Sequence, residues 1–450
     1  MELSNKDISE YHKNFKQKTK YKILQGVLKK APISEISVDQ NSLSKLPYKF
    51  NHSLPEIVNA TDQKNSGRCW IFAGLNILRH KLIHHYKLPP DFELSQSYIF
   101  KCDKLERCNY CLELIYDFIK KGHGNSTLEY VSLIPQIIKD GGTWDMFVNL
   151  VNKYGCIPKS IYPESFQSNY SSNLNDMLSI TLLKTSDIIT SKMSASEFRT
   201  YKSSIMEECY RIINICLGNT PPKFSWTFKN TKKEKIYTPI EFYIKTIKPL
   251  INLDHYVCIC NFPVENYNQL LAIEYVHNVL NPEDIKTGLQ KKYTNVYLNI
   301  DMETFKETVF KNIKNNTAVW FACNYGQYTM NYGSILDETS SNIKDMFDVS
   351  FSLSKRAGLE TRTNDPNHAM VFIGCQKDDD GFKRWKVENS HGKDAPEKGF
   401  ITMSDRWFND YVICAAVDIN TLPVKMRELV KNKKHVKWLP YYSPLGTYAN

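Results

Sequence analysis

Cys69, His368, Asn389 and Gln63 are the residues whose types and spacing could do chemistry, and the chemistry they suit is acyl transfer through a thiol. A nucleophilic cysteine acts as its thiolate and needs an imidazole to take the proton. Cys69 opens a Pro-free apolar run, Trp70-Ile71-Phe72-Ala73-Gly74-Leu75, long enough to predict a buried helix with the sulfur at its N-terminus. The dipole and first-turn amides of such an end favour an anion and are expected to lower the thiol pKa. His368 begins the apolar run Ala369-Met370-Val371-Phe372-Ile373, and Asn389 closes Trp385-Lys386-Val387-Glu388, both read as strands. Asn389 lies 21 residues on from His368, enough for a hairpin that returns a neutral amide to the imidazole. Gln63, six residues before the cysteine, is placed to direct its side-chain amide, with the Cys69 N–H, at the oxyanion of a tetrahedral intermediate.

The elements that must position these groups divide the chain in three. Residues 1–164 predict a polar arm with a short helix up to about residue 50, then a helical half with a buried helix from Cys69 through the apolar stretch to Leu78 and further helices near 95–121 and 143–154. Residues 165–285, rich in Ser, Asn, Lys and Tyr, predict inserted or accessory structure, with helices at 196–217 and 239–250 and a hairpin near 223–237. Residues 286–450 predict the β-rich half. The fold class is α+β.

Composition bounds the function. With 42% hydrophobic and 24% charged residues in 450, the chain has a globular profile rather than a disordered or fibrous one. No window approaches the roughly 18 apolar residues of a membrane span, and the start lacks the apolar stretch of a secretory signal. A cytoplasmic protein without membrane contact is expected. Twelve cysteines are too sparse for a disulfide scaffold and are expected as free thiols. The formal charge of +10 includes basic runs at Lys13 to Lys22 and Lys431 to Lys437, a surface that permits nucleic acid binding but that solubility explains as well.

Three rival readings are weaker. Cys102, Cys108, Cys111 and His123 contain one Cys-x-x-Cys pair without a second at zinc spacing, so core thiols are expected, with no metal and no cofactor. His80, His84 and His85 lack the Glu of a metalloprotease helix and are expected on an exposed face. A glutaminyl- or acyl-transferring enzyme shares the nucleophile, but would be expected to carry Asp at the Asn389 position.

The segment Gln63-Lys64-Asn65-Ser66-Gly67-Arg68-Cys69-Trp70-Ile71-Phe72-Ala73 resembles the active-site segment of the bleomycin hydrolase and bacterial aminopeptidase C group of papain-like cysteine peptidases. So do Asp91 to Tyr98, Gly141-Gly142-Thr143-Trp144-Asp145-Met146, Ile157 to Ser165, Thr238 to Tyr243, Ala318-Val319-Trp320-Phe321, Asn367-His368-Ala369-Met370, Val387-Glu388-Asn389-Ser390 and Ser443-Pro444-Leu445-Gly446, in family order along nearly the whole chain. Where the papain signature has Cys, this chain has Ser66, and Arg68 replaces a small residue. The Cys-to-His interval is roughly twice the papain value of about 130–150 residues, which matches the insertions of this branch.

The resemblance implies a papain-like fold with helical and hook-like insertions, hydrolysis of peptide and bleomycin-like amide bonds, and a homohexameric barrel with inward-facing sites. It implies Gly142 and Trp70 at the substrate, and a C-terminal arm whose carboxylate, from Ala449 or Asn450, holds the substrate amino group. One departure stands out: the family pattern Asn-Ser-Trp-Gly is here Asn389-Ser390-His391-Gly392. Replacing the indole by an imidazole is expected to leave His368 more solvated.

Overall fold

The computed structural model describes residues 2–44, 49–55, 57–124, 127–228, 234–291, 295–330, 334–351 and 353–446. Two bodies of structure meet at Cys69. On one side the Cys69–Tyr86, Gln96–Lys120 and Trp144–Tyr154 helices pack together, and on the other lies a twelve-stranded sheet among the described residues. The Cys69–Tyr86 helix is apolar on every side through Leu75, as a helix entering a core should be, and its first twelve residues are all buried.

The sheet grows from pairings between distant segments. His368–Asp378 pairs antiparallel with Val319–Cys323 on one side and Gly381–Glu388 on the other, so the predicted hairpin forms and Asn389 follows its second strand. Val412–Asp418 lies beyond Val319–Cys323 and pairs in turn with Tyr256–Cys260. Trp320 joins the two bodies, donating from Nε1 to the Trp70 carbonyl at 3.2 Å and lying 6.2 Å from the Trp144 ring. Each such buried ring hides roughly 150–250 Å², about 4–6 kcal/mol at ~25 cal/mol/Å² before entropy is counted.

Two expectations change. The region 165–285 is not one insertion: helices such as Ser172–Leu183 and Ala195–Leu217 and the Phe224–Trp226/Lys235–Tyr237 hairpin come first, and from residue 256 the chain supplies Tyr256–Cys260 and Gln269–Ile273 to the main sheet. The N-terminal 50 residues hold more than one short helix, with Asn5–Gln17 and Thr19–Leu28 as the longest and no buried residue in either.

No helix among the described residues is long and apolar enough to cross a membrane. All twelve cysteines are free, and Cys102, Cys108 and Cys111 are buried along their helix.

Candidate active site

Cys69 is the first residue of its helix, where the sequence places it, and is fully buried. The Arg68 cap supplies no side-chain hydrogen bond, so no side-chain cap competes for the first-turn amides. The Arg68 side chain turns away instead: Nη1 meets Glu164 at 2.7 Å and Nε donates to Ser66 Oγ at 2.8 Å. A buried guanidinium in that position fixes the loop that carries Gln63. Asp140 holds the same loop by accepting from Gly67 N–H at 3.1 Å, while binding Lys104, Ser171 and Asn175. Burial alone would raise the Asp140 pKa, but the Lys104 ammonium and these hydrogen bonds hold it well below the usual range. Asp140 thereby ties the accessory helix at Ser172–Leu183 to the nucleophile loop.

The sulfur faces the start of the His368 strand: Ala369 N–H donates to Cys69 Sγ at 3.4 Å. His368 Nε2 lies 2.7 Å from Asn389 Oδ1, and Ser390 N–H donates to the same oxygen at 2.8 Å. An amide oxygen only accepts, so Nε2 carries the proton and Nδ1 is left as the base. Asn389 Nδ2 points the other way, to His391 Nδ1 at 3.0 Å. Gln63 is held at both ends of its amide, Nε2 donating to the Ser66 carbonyl at 2.6 Å and Oε1 accepting from Ser390 Oγ. Its second Nε2 hydrogen has a fixed direction as a result.

The electrostatics differ from the helix-dipole expectation. Burial pushes the Cys69 thiol up to about 12, although the N–H groups of Ala369, Trp70 and Cys69 pull it down. Burial likewise pushes His368 down to about 4 against the Asn389 hydrogen bond. Desolvation outweighs the dipole, and each group alone prefers to be neutral. A proton passed from the thiol to the imidazole would create two opposite charges side by side, each offsetting part of the other's desolvation.

His368 is not opened to solvent by the missing indole. It is 6% exposed, with the Tyr325 ring at 4.9 Å and the His391 ring at 5.6 Å. Tyr325 does the covering expected of a Trp, and nothing in its sequence context signalled that role.

Trp70 and Gly142 also read differently. Trp70 is fully buried, its Nε1 donating to Asp140 O at 2.7 Å, so its ring supports the site from below rather than touching substrate. A Cβ on Gly142 would fall 2.4 Å from that indole, so close packing is sufficient reason for the glycine. Ala449 and Asn450 lie outside the described residues. The arm leading to them is held where Arg362 Nη1 meets the Tyr442 carbonyl. A cavity of about 290 Å³ there is lined by Gly141 from one side and Tyr441, Tyr442 and Gly446 from the other.

Beneath Asn389 sits an ion cluster that local spacing could not reveal. Glu388, buried, accepts from Arg79 Nη1 at 3.2 Å and faces His80 Nε2 at 2.9 Å. His80 is therefore not on an exposed face, while His84 and His85 are. The cluster clamps the Cys69 helix to the strand that precedes Asn389. Among the described residues no group of three or more His, Cys, Asp or Glu side chains is arranged to hold a metal.

The chain matches the Peptidase C1-like family over residues 2–446. It is 33% identical to human bleomycin hydrolase over 92% of each chain, and 32% identical to aminopeptidase C of Lactococcus lactis subsp. cremoris over 97% of this chain and 98% of that one. The crystal structure of PepW from Lactobacillus rhamnosis superposes with a TM-score of 0.91 at 30% identity, covering 100% of this chain and 99% of that one. The chain belongs to the Peptidase C1-like family, in the bleomycin hydrolase and aminopeptidase C branch of the papain-like cysteine peptidases.

Proposed function

We propose that the protein is a cysteine aminopeptidase that cleaves peptide and bleomycin-like amide bonds through an acyl-enzyme. The observation that carries this reading is the contact of Cys69 Sγ with Ala369 N–H beside a His368 whose Nε2 is held by Asn389. Sγ attacks the carbonyl carbon as its proton passes to His368 Nδ1. The oxyanion is met by the Cys69 N–H and Gln63 Nε2. The C–N bond breaks as His368 returns the proton to the leaving amine. Water, deprotonated by the same nitrogen, then opens the thioester and the thiol is restored.

The preference for free N-termini rests on the arm. Its position at the cavity beside Gly141 supports a terminal carboxylate of Ala449 or Asn450 set opposite the substrate ammonium, a charge-assisted contact that a blocked N-terminus lacks. The assay is hydrolysis of fluorogenic aminoacyl amides with free and with acetylated amino groups under reducing conditions, on wild type and Cys69→Ala. Cleavage of the free amine alone, lost in the variant, is expected; cleavage of both substrates rejects the arm, and Cys69-independent cleavage rejects the mechanism.

Assembly into a homohexamer is supported by exposed apolar side chains on the accessory elements. Ile8, Tyr11 and Phe15 share one face of the Asn5–Gln17 helix, and Phe166, Ile180 and Ile215 project from the hook region. We place the accessory region at 165 to about 255, and the enzyme in a reducing cytoplasm, where twelve free thiols persist. The basic runs leave nucleic acid as an additional partner rather than the main function.

A further inference from the structure

The position where the family pattern has Trp is filled by an ionisable ring that touches the catalytic amide. The orientation of Asn389 admits one solution: Ser390 N–H can only donate, so the atom facing it at 2.8 Å is Oδ1, and Nδ2 must face His391. Nδ2 also can only donate. His391 Nδ1, 3.0 Å away, therefore accepts, and the ring is neutral with its proton on Nε2.

We propose that His391 is a positioning residue that pins Asn389 through the Nδ1 lone pair, and so makes the peptidase, on the reading given above, sensitive to protonation of this one imidazole. Protonated His391 sets an N–H against the Nδ2–H of Asn389. The amide or the ring must then swing away, and the Oδ1 bond to His368 Nε2 is lost or lengthened. The same charge, with its ring 5.6 Å from that of His368, also opposes the imidazolium that catalysis requires.

The groups that face His391 decide where it titrates. Asp62 pairs with it across an antiparallel bridge and favours the cation, but Asp62 is itself engaged by Lys64. Tyr325 meets the ring edge-on at 5.8 Å and His368 lies beyond. Burial of the inner edge holds the His391 pKa below the ordinary imidazole value, while the residue as a whole stays exposed and within reach of solvent protons.

The test is the pH dependence of kcat/KM on a free-amine aminoacyl amide from pH 4.5 to 8, for wild type, His391→Gln and His391→Trp. Gln offers an acceptor oxygen to Nδ2 and does not titrate. The expected result is that His391→Gln loses one ionisation from the acid limb, so that its activity at pH 5 relative to pH 7.5 rises several-fold over wild type. His391→Trp also flattens the limb. An acid limb of unchanged midpoint and steepness in both variants overturns the proposal. The side-chain amide signals of Asn389, followed by NMR in full-length Cys69→Ala protein, decide it independently of turnover: they should move with the midpoint of His391, and an Asn389 amide blind to that titration overturns it. A wild-type chain inactive at every pH would refute the peptidase function and leave this second readout to judge His391.

Discussion

Ser390 and Gln63 are bonded to each other twice: the Gln63 N–H donates to the Ser390 carbonyl at 3.0 Å, and the Ser390 hydroxyl donates to Gln63 Oε1. With the Asp62–His391 bridge and Gly392 N–H donating to Thr61 O at 2.9 Å, they lace the oxyanion segment to the segment that follows Asn389. The two segments come from sequence positions more than three hundred residues apart, yet are bonded into one ribbon.

If that ribbon aims Gln63, removing either end of it should cost rate in proportion. Gln63→Ala deletes an oxyanion donor and is expected to lower kcat about 10²–10³-fold with little change in KM. Ser390→Ala keeps the donor but frees the amide, and should lower kcat by about tenfold, the size of one lost hydrogen bond. Steady-state kinetics on both variants checks this. A Ser390→Ala enzyme as fast as wild type would show that Gln63 needs no such support.

The Glu388 cluster should be structural. Glu388→Ala leaves the Arg79 guanidinium, 2% exposed as a residue, without its carboxylate, although the carbonyls of Asn59, Pro90 and Phe92 still accept from it. Breaking a buried pair in this way is expected to destabilise the fold by about 3–5 kcal/mol. Urea unfolding gives the value, and a loss below about 1 kcal/mol would mean the carbonyls suffice.

Acid should weaken the fold through His368. An unfolded imidazole takes its proton near pH 6.5, whereas the buried one resists until about 4. Between these values the unfolded chain holds more protons, so stability falls as pH drops, by about 3 kcal/mol once both states are protonated. Above the unfolded value this group contributes no slope. The comparison is unfolding free energy against pH for wild type and His368→Gln, in which that part of the slope should vanish.

Removing Gly446 to Asn450 should release the restriction to free N-termini. Acetyl-blocked peptides are expected to become substrates, with endopeptidase products visible by mass spectrometry. An unchanged preference for free amines in the truncated enzyme would place the selecting anion elsewhere.

The site was legible where its signal is local. An apolar run after Cys69 gives the helix, and the apolar runs at 369–373 and 385–388 give the hairpin that brings Asn389 to His368. What stayed hidden depends on pairing at long range. Tyr256–Cys260 is a five-residue strand set in a polar stretch, and its partners begin at residues 296 and 412. Glu388 finds Arg79 and His80 across some three hundred residues, so no spacing rule announces them. Burial also counts against two expectations, one drawn from the helix N-terminus and one from the family resemblance: it raises the Cys69 thiol, and it packs Trp70 under Gly142. The helices of the first 50 residues were underestimated because none buries a side chain, leaving capping and amphipathic spacing as their only signals.

The central claim, that Cys69 is the one thiol activated by His368, is tested most directly by treating the native protein with an aminoacyl chloromethyl ketone and mapping the adduct by peptide mass spectrometry. One adduct per chain, on Cys69 alone among the twelve cysteines and lost in His368→Ala, is the predicted result. Modification of another cysteine in its place, or labelling of Cys69 undiminished in His368→Ala, would contradict it.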